Sequence, residues 1–232
     1  MTVEEYFGKW LDIIDMQDLQ KYRNMLMQAT LNSIDIEPSN LGTVFKCFNR
    51  CKFENLKAVI VGQDPYFDGS ATGLAFGNEP DRKGFKGLSP SLRFIKNSVL
   101  SLAKPEENPI FDPTLESWAN QGILLLNSAL TVRRGNPGSH TEAWKPFIQK
   151  VITGISAETN CYFLLLGKQA WSFKDGIFDN KRGVALEYHP AYYARNNTPM
   201  PSKIWSDMIE YVKQNYNVTL RLYEQENSEH SS

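Results

Sequence analysis

Three side chains suited to chemistry stand just past short apolar runs of this chain. Ala58-Val59-Ile60-Val61 leads into Gly62-Gln63-Asp64-Pro65-Tyr66, Ile123-Leu124-Leu125-Leu126 leads into Asn127, and Val184-Ala185-Leu186-Glu187-Tyr188 leads into His189-Pro190. A carboxylate, a carboxamide and an imidazole together offer acceptors and donors that can hold a polar substrate and support bond cleavage. Each alone has a blander role. An Asp after a strand is usually a turn or a helix cap, an Asn there is a turn residue, and a His before Pro is a hydrogen-bonded loop residue. Three at equivalent strand ends point to one site, because ligands of open α/β sheets bind beyond the carboxyl ends of the strands.

The elements that must position them follow from periodicity. The runs from Ala58 and Ile123, with Tyr162-Phe163-Leu164-Leu165-Leu166 ending at Gly167, are continuous and apolar, as expected of strands buried on both faces, and Val184 to Tyr188 is a fourth such run broken only by Glu187. Apolar residues at three- and four-residue spacings predict helices between Val3 and Gln28, around Val44 to Phe48, and over Leu92–Leu102, Phe147–Ile155 and Ile204–Tyr216. Ile36 to Leu41 carries Pro38, Ser39 and Asn40, a turn. The expected fold is an α/β three-layer sandwich, a central, mostly parallel four-stranded sheet flanked by helices. It forms a single domain over 1–223, followed by a polar, disordered tail over 224–232.

Composition narrows the function. The 232 residues are 41% hydrophobic and 22% charged, ordinary for a globular domain, and the formal net charge is −1. A globally basic nucleic-acid coat is excluded, so any DNA contact must come from a local patch. Three cysteines, Cys47, Cys51 and Cys161, with only three histidines, argue against a disulfide framework and a four-ligand metal site. No run approaches the roughly 20 apolar residues of a membrane span. The acidic start, Met1-Thr2-Val3-Glu4-Glu5, lacks the layout of a targeting peptide, so a cytoplasmic location is expected.

Over most of its length the chain resembles the family 1 uracil-DNA glycosylases. Gly62-Gln63-Asp64-Pro65-Tyr66 is similar to that family's water-activating motif, and Gly73-Leu74-Ala75-Phe76 follows at the family's distance. Leu88-Ser89-Pro90-Ser91-Leu92 resembles its DNA-contact loop. The stretch from Leu115 to Asn127 is similar over thirteen positions, and Leu130-Thr131-Val132-Arg133, Gly138-Ser139-His140, Trp144 and His189-Pro190 complete the set.

The resemblance implies hydrolysis of the bond between uracil and deoxyribose, with the base first flipped out of the helix. Phe76 would stack on the uracil, Gln63 would border it, and Asn127 would pair with its N3–H and O4. Tyr66 would exclude the methyl group of thymine. Asp64 and His189 are the implied catalytic pair: Asp64 orients the water, and His189 donates to the uracil oxygen that collects negative charge. No cofactor and no metal are implied. The implied partner is uracil-containing DNA, single- or double-stranded, met by a monomer, with any protein inhibitor or replication partner left open. DNA contacts fall on Ser89, Pro90, Ser91, Lys168, Arg133, Tyr192 and Tyr193.

Four departures from the family concern DNA handling. Phe67 stands where the family has His, and Lys168 where it commonly has Ser. Ala191-Tyr192-Tyr193-Ala194-Arg195 replaces Ser-Pro-Leu-Ser, which puts Tyr193 at the register of the leucine that wedges into the duplex, with Tyr192 adjacent. Asn196 to Pro201 replaces a turn containing glycine and cysteine. Two competing classes follow: a DNA-binding scaffold that has lost catalysis, and a nucleotide-dependent oxidoreductase. The latter lacks Gly-x-Gly-x-x-Gly after the first strand.

Overall fold

The computed structural model describes residues 1–79, 87–178 and 183–225. Four parallel strands, Ala58–Gly62, Ile123–Asn127, Tyr162–Leu166 and Val184–Glu187, form the central sheet. The Ala58 strand lies between the Ile123 and Tyr162 strands, and the Val184 strand takes the outer edge beside Tyr162. The chain reverses its direction of travel across the sheet after its second strand. That places a topological switch between the Ala58 and Tyr162 strands, where a crevice opens at the carboxyl ends.

Burial explains the patterning. The first three strands are buried at all five positions, matching their continuous apolar runs. The Val184–Glu187 edge is half-exposed, which is why Glu187 is tolerated there and Leu186 meets solvent. Helices flank the sheet, the longest being Met16–Leu31, Pro90–Leu100, Thr141–Glu158 and Lys203–Tyr216. Each begins within a few residues of the predicted start or extends beyond the predicted span. The first helical region divides into Val3–Phe7, a 3-10 turn over Gly8–Asp12, and the Met16 helix capped by Asp15.

Four fully buried tryptophans tie the helical layers together, each with its indole N–H satisfied. Trp10 donates to the carbonyl of Cys51 (2.8 Å), Trp118 to that of Leu222 (3.1 Å), Trp144 to Thr131 Oγ1 (2.7 Å) and Trp205 to Ser98 Oγ (2.8 Å). Large rings therefore enter the core without an unpaired donor, which would cost about 1–3 kcal/mol each. All three cysteines are buried. Among the described residues no helix is long and apolar enough to cross a membrane.

The tail differs from expectation at its start. Glu224–Gln225 pairs antiparallel with Pro109–Ile110, so order continues two residues further; the remainder of the expected tail, 226–232, lies outside the described residues.

Leu125 sits mid-strand, 1% exposed, in the wall that carries Asn127. Leu125→Ala is expected to destabilise the fold by about 2–5 kcal/mol through the cavity it leaves. Urea denaturation of both proteins measures this.

Candidate active site

Register builds the site. The Ala58 and Ile123 strands pair so that Gly62 lies directly beside Asn127. Gly62 has to lack a side chain: a Cβ there would lie 2.9 Å from Asn127 Oδ1 and 3.0 Å from the Phe76 ring. Across that gap the carboxamide and the phenyl ring close on a recess of about 200 Å³. Gln63, Asp64, Tyr66, Phe76, Asn127 and His189 all line it, so the structure brings together every predicted catalytic and base-contacting residue. Ser91 lines it as well.

Phe76 is held in an unusual conformation. Its φ is +66°, in the left-handed region that branched and bulky residues avoid, a strain of roughly 1–3 kcal/mol. Two contacts hold the segment there: Ala75 N donates to the carbonyl of Leu125 (3.1 Å), and Tyr66 Oη donates to the carbonyl of Phe76 (2.9 Å). The Phe76 ring then meets the His189 imidazole with centroids 5.5 Å apart.

Tyr66 is fixed at both ends. Having donated to Phe76, its phenol oxygen accepts from Ser89 Oγ at 2.5 Å, and burial pushes its pKa up to about 12, so it stays a neutral phenol. Ser89 also caps the Pro90–Leu100 helix by accepting from Leu92 N, and its own N–H is held by Asn78 Oδ1. Of the predicted DNA-contact serines, Ser89 therefore has a buried side chain that bonds within the protein. Its neighbour Pro90 is exposed, while Ser91 is buried at the recess wall.

Asp64 is asymmetric. Its Oδ2 accepts the backbone N–H of Gly138 at 2.6 Å, whereas Oδ1 is buried with no donor among the described residues. Burial raises the carboxyl pKa, and the Gly138 bond opposes that rise. Gly138 makes this contact through its backbone N–H, which a pattern of side chains does not announce. The loop is pinned in turn. Thr131 Oγ1 accepts from Trp144 and is hydrogen-bonded to His140 Nδ1 at 2.9 Å, and Ser139 Oγ accepts from Arg133 N.

His189 enters from the opposite side as the cap of the Pro190–Asn196 helix. Its Nδ1 accepts from Ala191 N at 3.2 Å, so the proton of the neutral ring resides on Nε2. Burial first, then the positive charge of Arg195, lowers its pKa to about 4. The imidazole is therefore uncharged at neutral pH. Gly167 gives it room, because a Cβ there would approach His189 Cβ to 2.9 Å.

The two tyrosines that follow divide, and the division corrects the register argument. Tyr193 is 7% exposed, and its phenol donates to Glu187 Oε1 at 2.5 Å, so it does not stand ready as a wedge. Helical geometry turns consecutive residues about 100° apart, and Tyr192 is the one left at the surface, 38% exposed. Lys168, Arg133 and Phe67 are also exposed.

Residues 48–213 match the model of the uracil DNA glycosylase superfamily. A uracil-DNA glycosylase of Borreliella burgdorferi (strain ZS7) is 34% identical over 214 residues, covering 88% of this chain and 92% of its own. The crystal structure of mimivirus uracil-DNA glycosylase superposes with a TM-score of 0.74 at 20% identity, covering 93% of this chain and 85% of that one, a likeness of fold. A mimivirus variant crystallised in complex with UGI gives the same score over 92% and 86%.

Tyr193→Phe removes the phenol from Glu187 and is expected to destabilise the protein by about 1–2 kcal/mol, seen as a lower Tm. An unchanged Tm would show that the contact contributes nothing.

Proposed function

This chain belongs to the uracil-DNA glycosylase superfamily, and from that membership we propose that it is a monofunctional DNA glycosylase, a hydrolase that excises uracil from DNA by cleaving the N-glycosidic bond and so initiates base excision repair. The observation that carries the reading is the convergence of Asp64, Tyr66, Phe76, Asn127 and His189 on one recess.

A base inside a duplex is out of reach, so the nucleotide is extruded into the recess. Phe76 supplies a rigid face for the flipped ring. Asn127 offers its carbonyl to N3–H and its amide N–H to O4; cytosine reverses that pattern and would leave buried groups unpaired, at about 1–3 kcal/mol each. Tyr66, held by its phenol bonds, cannot swing aside for the thymine methyl, which gives exclusion by shape.

As the bond breaks, negative charge collects on the uracil and positive charge on the sugar. His189, with its proton on Nε2, acts as a neutral donor to the uracil oxygen, aimed in advance by its Ala191 contact. The Asp64 oxygen that has no donor among the described residues is the acceptor for the attacking water. Its charge also offsets the cationic sugar, and in a desolvated recess that attraction is stronger than in bulk water. Exposed Lys168, Arg133, Pro90 and Tyr192 face the DNA strand, with Ser91 at the edge of the recess. We place the enzyme in the cytoplasm as a monomer acting on single- or double-stranded DNA, and binding of UGI is a proposal of the same kind.

Incubation with oligonucleotides carrying one uracil, in EDTA and followed by alkali, tests the reading. Strand scission at uracil, and none at thymine, is expected. DNA binding without scission would instead support the scaffold reading. Asp64→Asn and His189→Ala should each lower the rate by at least about 10²-fold with Tm retained; near-normal rates in both would overturn the assigned roles.

A further inference from the structure

Beside the recess the surface carries an aromatic ladder that the core does not require. Tyr188 and Tyr192 stack face to face, with centroids 4.4 Å apart and planes 20° apart, yet the residues are 45% and 38% exposed. Trp171 leans on Tyr188 at 5.5 Å, and its indole N–H is pinned to the carbonyls of Leu165 and Glu187, each at 3.1 Å. Tyr193 meets Tyr192 edge-on at 5.3 Å, and its own phenol is held by Glu187. Glu187 thus anchors both supports, and the rings between them are fixed in advance.

The ladder adjoins the recess. Tyr188 and Tyr192 bracket His189 in the chain, and Tyr192 N donates to the carbonyl of His189 at 2.7 Å. Exposed cations stand near it in the chain: Lys168 opens the helical turn that carries Trp171, and Arg195 lies three residues beyond Tyr192. Flat faces flanked by positive charge are the elements of a single-strand subsite, because every base offers a π-face and every linkage a phosphate.

Resting on the uracil-excision reading, we propose that Trp171, Tyr188 and Tyr192 form a stacking platform for an unpaired base next to the extruded uracil on the same strand. A duplex wedge is the lesser fit. To enter a base stack, Tyr192 would have to leave Tyr188 and Tyr193, whereas an unpaired base would meet the exposed surface of Tyr188 and Tyr192 while they keep those contacts. Lys168, where the resemblance leads one to expect Ser, then contacts the phosphate of that strand as a point charge.

Uracil release is measured on single-stranded and duplex oligonucleotides of the same sequence for the wild type and for Tyr188→Ala, Tyr188→Phe, Tyr192→Ala and Tyr192→Phe, each checked for an unchanged Tm. The alanine variants should raise KM for the single strand by about tenfold or more and for the duplex much less, and the phenylalanine variants should behave as wild type. A larger loss on the duplex than on the single strand would identify a wedge instead, and equal losses on both would overturn the platform. No loss on the single strand, or phenylalanine behaving as alanine, would overturn the platform while wild-type release left the enzyme reading standing. A wild type that releases uracil from neither substrate would overturn both.

Discussion

The parallel register that sets Gly62 beside Asn127 is the constraint on which the site depends. Hydrogen bonding along these buried strands fixes where each one ends, and the strand ends fix where the carboxamide, the carboxylate loop and the imidazole stand. A slip of one residue would turn every side chain of the Ala58 strand to the opposite face of the sheet. It would also replace Gly62 at the contact with Asn127 and Phe76, where no Cβ fits. The pocket is in this sense a consequence of sheet pairing, and its walls are as rigid as the core behind them.

Burial then sets the electrostatics. The surroundings that press Phe76 against the recess also remove water from His189 and Asp64, lowering one pKa and raising the other. Both shifts favour the uncharged forms, and the protein opposes only one of them, through the Gly138 N–H that supports the aspartate as an anion. The result is an uncharged donor facing a carboxylate across the recess. This arrangement meets charge developing in opposite senses on a departing base and its sugar without fixing a full positive charge beside the ground-state base.

Much of this was legible in the sequence because strands and chemistry were written together. The β-branched and leucine-rich runs located the four sheet strands to within a residue, and Asp64, Asn127 and His189 followed from where those runs stop. Three features were not legible, for definite physical reasons. Ser89 carries the type and position of a phosphate contact, but its hydroxyl serves a helix cap and Tyr66, partners made by tertiary folding. Tyr193 holds the register of a wedge, but its partner Glu187 lies on the sheet edge and draws the ring inward. The Gly138 contact uses backbone alone, and no side-chain pattern announces a backbone donor.

The central claim is that the recess holds a neutral imidazole with its proton on Nε2. Nitrogen-15 NMR of His189 between pH 8 and 5 tests it most directly, with the pKa lowered to about 4. The account predicts a protonated Nε2, an unprotonated Nδ1 and no titration midpoint within that window. A midpoint near the ordinary histidine value of about 6.5, or a proton on Nδ1, would contradict it.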